Sequence, residues 1–469
     1  MEIKPTHEGT FAVASEIWQN LGLASDALNM LTLTGDRPAL PTSFQVAVAA
    51  QSSIACAALA AAEISRVRTG QSQHVSVDMA AAELECSGYF RLDGSVPNAW
   101  APLSGLYPCH DGHVRIHANF DHHRDGVLKL LGLTDNPTNY SKADVETALK
   151  QWDAEAFETA AAEAGLVVSA IRTFAEWDAH PHAAYVAQSP LLTLEKIGEA
   201  TPLALPETSA EQSPLTGVRV LDLTRILAGP ICGRTLAAYG ADVMLLNSPN
   251  LPNIESIADT SRGKLSALLD LKNTEDARRL HQLTQDSHIF VQGYRPDALS
   301  RLGFAPETLA EKRPGIVYVS LSAYGHEGPW SHRRGFDSLV QSATGFNHAE
   351  AEAMGKDMPQ PMPVQVLDYA SGFLMAFGAQ AALLKQAEEG GSWHVRISLV
   401  QTAHWLRSLG RLLDNKSDKR LDFKGSCQPY PCEFGTLEAI PHAATFSRTP
   451  AGWSRPSVPP GANPPSWPM

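Results

Sequence analysis

The sequence predicts an α/β fold whose centre is a doubly wound domain from about residue 215 to 345, and two observations carry that expectation. The first is GVRVLDL (Gly217 to Leu223), a near-continuous apolar strand of the kind a parallel sheet buries on both faces. ILAGPICGRTLAAYG follows as loop and helix, with Pro230 suited to a first helical turn and Gly240 to the stop, and ADVMLLN is the next strand. Strand, glycine loop, helix and strand within about 30 residues make a right-handed βαβ unit. The second observation is that the alternation continues through ALLDLK, a helix from about Thr274, HIFVQ, the helix DALSRLG and the strand GIVYVSLSAYG. The loop Leu227-Ala228-Gly229-Pro230 presents backbone amides at a helix N-terminus, an anion-binding arrangement. It is not GxGxxG, and Asn247 stands where an acidic residue would end the second strand, so a nicotinamide dinucleotide is disfavoured.

Residues 361–399 repeat residues 41–79 at a constant offset of 320 (368 − 48). Pro41 matches Pro361, Gln45 Gln365, Gly70 Gly390, His74 His394 and Val75 Val395. Asp368 falls opposite Val48, so carboxylate chemistry is open only to the second copy. Phe373, Phe377, Ala381 and Leu384 recur at helical spacing up to the Gly390-Gly391 stop, and the strand HVRIS follows. Asp368 is therefore expected just ahead of a helix N-terminus, where orphan amides and the macrodipole favour its ionised form. A plain N-cap aspartate is the alternative reading. Thr193-Leu194-Glu195 recurs as Thr436-Leu437-Glu438, which suggests a partial internal duplication, in effect one unit read from its middle.

Between the copies, LYPCHDGHVRIHANF reads as a hairpin turned at His110-Asp111-Gly112, and helical patterns run from Val127 to about Val186. The histidines here (His110, His113, His117, His122, His123) lack acidic or Cys partners at ligand-like spacing, so no metal is expected. The expected organisation is a lead-in and degenerate repeat helix over 1–74, a small α/β domain over 75–205, a Pro-bearing linker over 206–216, the large domain over 217–360, the second repeat over 361–413, and a tail with a Pro-rich arm over 414–469.

A net charge of −13 argues against nucleic acid or an anionic membrane as partner. The apolar run Val46 to Ala62 is alanine-dominated and broken by Gln51, Ser52 and Ser53, which fits a buried helix better than a membrane span. Six scattered cysteines without a CxxC pair indicate neither a disulfide framework nor a zinc ribbon. The opening MEIKPTHEGTFAVASEIW has no basic stretch followed by an apolar run, so a cytoplasmic location is expected.

At GVRVLDLTRILAGP, GADVMLLN, LLDLK, YRPDALSRLG, VYVSLSAYGHEGPW, RRGFDSLVQSATG and VLDYASG the chain resembles the family III CoA-transferases, the CaiB/BaiF group of formyl-CoA and carnitine-CoA transferases. Residues 40–205 resemble the later part of the same family unit. The resemblance implies a Rossmann-like large domain with a smaller α/β domain, commonly in interlocked homodimers. It places the family's catalytic aspartate at Asp368 and a CoA site at Leu227, Ala228, Leu269 to Lys272, Tyr294, Arg295, Arg301 and Arg334. Those arginines supply cations for an acidic ligand in an acidic chain. The chain departs from the family where Asn247-Ser248 replaces Glu-Arg and where Gly263-Lys264-Leu265-Ser266 replaces Asn-Lys-Arg-Ser.

The implied reaction is acyl transfer by covalent catalysis, with acyl-CoA and a carboxylic acid as substrates and no permanent cofactor. An aspartate with an ordinary pKa of roughly 3.9 is ionised at pH 7 and needs no base, and amides at the start of its helix could hold the oxyanion. No GxSxG motif offers a competing nucleophile. A racemase branch uses a His within Gly-His-Asp; here the triplet is Gly335-Phe336-Asp337, and His326 and His332 lie off the matching position. Racemisation of 2-methylacyl-CoA is the second reading, and a non-catalytic CoA-binding homologue the third.

Overall fold

Seven strands form the central sheet of the computed structural model, which describes residues 4–412 and 421–468. Their order is Lys264–Leu268, Asp242–Asn247, Arg219–Leu223, Ile289–Gln292, Val317–Ser322, Ser392–Ser398 and Leu192–Gly198. The first six are parallel, and counted along the chain from Arg219 they run 3-2-1-4-5-6, the order of a dinucleotide-binding doubly wound sheet. Its switch point lies between Arg219–Leu223 and Ile289–Gln292. Leu192–Gly198 closes one edge antiparallel to Ser392–Ser398. The small-domain boundary expected at 205 therefore falls too late, because the sheet claims that segment. What packs as a separate core is residues 103–170: the expected hairpin Gly105–Pro108 with His113–Ile116, the strand Val168–Ala170 and three helices. The segment DALSRLG, expected to be helical, forms only a short 3₁₀ turn at Ser300–Leu302.

The helices Val46–Thr69 and Val366–Glu389 each span 24 residues and start and stop at the offset of 320. Each follows a strand that runs parallel to the strand after it, Leu31–Thr34 with Val75–Asp78 and Val317–Ser322 with Ser392–Ser398. Asp78 and Ser398, again 320 apart, each cap the next helix through their side chains. Both long helices are apolar enough to cross a membrane, yet both lie inside the protein, packed on one another, with Gln380 Nε2 donating to the Ala57 carbonyl at 3.0 Å. The echo at Thr436-Leu437-Glu438 has no such counterpart in space: Leu437 pairs with Leu92, and the strand that borders Val75–Asp78 is Ala444–Phe446. Beyond it the Pro-rich segment lies along the large domain. Asn463 exchanges two 2.8 Å hydrogen bonds with Ser266 on the sheet's other edge, and Trp467 Nε1 donates to Leu283. Covering an edge in this way blocks further strand addition.

One contact brings the two halves of the site together. Helix Val366–Glu389 lies across helix Ala228–Ala238 at Gly372, where an added Cβ would sit 2.5 Å from the Ala228 carbonyl and 2.7 Å from Ile231 Cβ. Only glycine permits this approach, and it sets the first turn of one helix beside the loop that opens the other. We expect Gly372→Val to overpack the contact and lower stability by roughly 1–3 kcal/mol or more, read as a shifted denaturant midpoint.

Candidate active site

The loop after Arg219–Leu223 is anchored from below. Lys264, fully buried, donates at 2.8 Å both to Asp222 Oδ2 and to the Pro230 carbonyl, and Thr224 Oγ1 donates to Asp222 Oδ1 at 2.5 Å. The family-pattern lysine thus serves the loop's geometry and lines none of the clefts above it. Above that anchor Ile226 holds φ +77°, a left-handed conformation that a β-branched residue adopts only at a cost of about 1–3 kcal/mol. Strain of that kind gathers at functional sites.

Three clefts run into one another over the carboxyl ends of the strands. At the switch point lies one of about 310 Å³, lined by Leu223, Gly293 and Tyr294 from the strand ends and by Arg225, Arg295 and Arg334. Through Leu223, Leu251, Tyr294 and Ala298 it continues into a 150 Å³ apolar recess walled by Leu246, Asn247, Leu269, Lys272 and Leu302. Through Ile226 and Phe336 it opens on the other side into a cleft of about 750 Å³ that contains Leu227 and Asp368. Of the residues expected at the site, Leu227, Leu269, Lys272, Tyr294, Arg295, Arg334 and Asp368 share this trough. Two do not line it. Ala228 is buried in the first turn of its helix, where its carbonyl meets Gly372, and Arg301 is exposed on the 3₁₀ turn outside all three clefts.

Asp368 differs from its expectation in place and in charge. It is the third residue of its helix, inside the first turn, with Gln365 at the N-cap. Its amide donates at 3.0 Å to Asp337 Oδ2, and the Leu367 amide is also taken by that carboxylate, so neither is left for an oxyanion. Gln341 Nε2 donates to Asp337 Oδ1 at 2.5 Å and fixes it from behind. Asp337 thus caps the helix from 31 residues away. The side chain of Asp368 is 7% exposed, and burial, followed by the like charge of Asp337, pushes its carboxyl well above the usual range. Burial raises Asp337 itself to about 7. The expectation that helix amides keep Asp368 ionised fails because Asp337 intercepts them.

Sequence reasoning missed Arg225, weighed Phe336 and Asp337 only as the counterpart of a racemase triplet, and weighed His117 only as a metal ligand. Arg225 sits at the end of the first strand of the motif, which is itself a signal, and its guanidinium is half-buried with Nε unpartnered. His117, from the small domain, stacks on Phe336 with ring centroids 4.0 Å apart and lines the Asp368 cleft. Burial, with His123 nearby, lowers its pKa to about 3.

The trough thus joins a buried carboxylate in a large cleft, through a cationic middle, to a small apolar recess. The chain belongs to CoA-transferase family III, whose model matches residues 21–205 and 215–416. Among its relatives are the acetyl-coenzyme A transferase nodX of Hypoxylon pulicicidum, 35% identical over 43% of this chain and 35% of that protein, and the probable fatty acyl-CoA transferase Rv3272 of Mycobacterium tuberculosis, 31% identical over 48% of this chain and 58% of that one. The succinate–glutarate CoA-transferase of Agrobacterium fabrum is 31% identical over 50% of this chain and 62% of its own length. The crystal structure of Rv3272 aligns with 42% of this chain and 58% of that one at 30% identity and a TM-score of 0.39. The chain thus spans between about a third and three fifths of the length of these curated relatives.

Breaking the anchor under the loop should be costly. We expect Lys264→Ala to strand the Asp222 charge and cost about 3–5 kcal/mol, and the double change Lys264→Met with Asp222→Leu to recover most of that, both read by denaturant melts.

Proposed function

We propose that this chain transfers CoA from an acyl-CoA thioester to a carboxylic acid, with Asp368 as nucleophile. The observation that carries the reading is the order of the trough: apolar recess, cationic middle, then a large cleft with a buried carboxylate. That order suits CoA, with adenine in the recess, phosphates by Arg225, Arg295 and Arg334, and the thioester by Asp368. A Coulombic middle also accounts for how an acidic chain attracts an anionic substrate.

In the proposed cycle an Asp368 oxygen bonds to the thioester carbonyl carbon, the C–S bond breaks, and the electron pair leaves on sulfur as CoA thiolate. That thiolate attacks the aspartyl carbonyl of the mixed anhydride, releasing the donor acid and leaving an aspartyl-CoA thioester. The acceptor carboxylate attacks this thioester and expels the thiolate again. Attack of the thiolate on the new acyl carbonyl frees Asp368 and gives the new acyl-CoA. Once Asp368 is ionised no further proton has to move, and no permanent cofactor enters. Val48 cannot take this role, so we assign one reactive centre per chain, in a partly duplicated unit whose first copy supplies the small domain. A homodimer and a cytoplasmic location remain part of the proposal; the first rests on the resemblance to interlocked family members, the second on the scattered cysteines without a CxxC pair.

One observation favours the racemase reading as second: an imidazole, His117, reaches the cleft beside the Phe336 that stands where the racemase histidine would. Exchange of α-hydrogen for deuterium without acyl exchange is the outcome that would favour it, and CoA binding with neither exchange would leave the non-catalytic reading.

Asp368→Asn is expected to lower acyl exchange by roughly 10⁴-fold or more, while Val48→Ala keeps it, in a mass-spectrometric assay with labelled acid. Because the nucleophile must be ionised and burial, then the like charge of Asp337, raises its pKa, exchange should decline on acidification at a pH well above the ordinary carboxylate range near 4, read as the acid limb of a pH profile of kcat/KM. Asp337→Asn removes the like charge and should shift that acid limb to lower pH.

A further inference from the structure

The cleft beside Asp368 has a wall chemistry that selects among acids. Tyr89, Phe90, Trp100, Phe336, Val364 and Phe423 give it aromatic and apolar faces, and Tyr89 and Phe423 meet with ring centroids 5.3 Å apart. Among the described residues lining it there is no lysine or arginine, and its charged members are Asp368 and Glu255, both acidic. His117 adds no positive charge, since burial holds it neutral at pH 7. Arg115 lies behind the wall, its guanidinium 4.3 Å from the centroid of Trp100, and does not line the cleft.

Two of the neutral amides of the lining, Asn119 and Asn253, are engaged by the protein, while Asn98 and Gln365 also line the cleft. Asn119 donates to the Ala99 carbonyl at 2.8 Å and accepts from Ser104 Oγ at 2.6 Å, and Asn253 donates to Asn247 Oδ1 at 3.1 Å. Among the described residues, a second carboxylate carried into this space would lose its water beside two acidic groups and meet no lysine or arginine of the lining. An alkyl or aryl group would instead bury apolar surface, each methylene strengthening binding by roughly fourfold. With about 750 Å³ available, the space exceeds what a short acid needs even when the thioester arm occupies part of it. The cationic cleft next door meets this one at Ile226 and Phe336, and its arginines line that cleft, where the proposed reading puts the phosphates, and not this one.

We infer, building on the transferase reading, that the acid exchanged at Asp368 is a bulky apolar monocarboxylic acid, medium-chain alkyl or aryl, and not a short dicarboxylic acid. The test uses the full chain with octanoyl-CoA, phenylacetyl-CoA, succinyl-CoA and glutaryl-CoA, each paired with its own ¹³C-labelled acid, and follows label entering the thioester by mass spectrometry. Exchange of octanoyl or phenylacetyl groups should exceed that of succinyl and glutaryl groups by more than tenfold in kcat/KM; a ratio below ten overturns the inference while leaving the transferase reading in place. Absence of exchange with all four overturns the transferase reading, and ligand-observed NMR of octanoate against glutarate on the unreacted chain then still decides the acid preference, with glutarate binding as well as octanoate counting against it. Val96, which borders the cleft and is 55% exposed, tolerates a long polar side chain. Val96→Arg should lower the octanoyl-to-glutaryl preference at least tenfold, and an unchanged ratio would place the acid elsewhere.

Discussion

Two carboxylates share one dry corner of this protein, and the rest of the site is arranged around that constraint. Asp368 stands in the first turn of a buried helix, where free amides would ordinarily stabilise its negative charge. Asp337 occupies two of those amides and brings a like charge against it. Removal of water works in the same direction. A carboxylate held this way is less stable as an anion than one in solvent, and in the proposed cycle it therefore gains more by forming a neutral acyl bond.

Such a corner exists only because two helices meet without side chains between them. Gly372 lets Val366–Glu389 rest on the Ala228 carbonyl, and the loop containing Ile226 is pinned from below by Lys264 and Asp222. The strain at Ile226 is sustained by that anchor. From it the trough extends over the switch point of the sheet, with positive charge in its middle and apolar surface at its two ends. The small domain completes the large cleft by contributing Trp100 and His117, so the cleft depends on residues more than 200 positions apart in the chain.

Much of the large domain could be read from the sequence because parallel strands are buried on both faces and announce themselves as short apolar runs. The repeat was equally legible, since the offset of 320 predicts both long helices and their glycine stops. Asp368 stood out for its lack of a counterpart at Val48. The partnership of Asp337 with Asp368 was not legible, because a cap supplied from 31 residues away leaves no local pattern. That Arg301 stands outside the three clefts was not legible either: its nearness in sequence to Tyr294 and Arg295 says nothing of which way a 3₁₀ turn points it. The edge strand Leu192–Gly198 and the pairing of Asn463 with Ser266 depend on long-range register, which composition does not encode.

The account stands or falls on a covalent bond at one oxygen. Mixing the chain with an acyl-CoA at pH 8, quenching within a turnover in hydroxylamine, and digesting for mass analysis reads that bond directly. A hydroxamate on the peptide that contains Asp368, and on no other acidic residue, is the predicted result. Consumption of the thioester with Asp368 unmodified and the label elsewhere, or with no label on the chain, would contradict it.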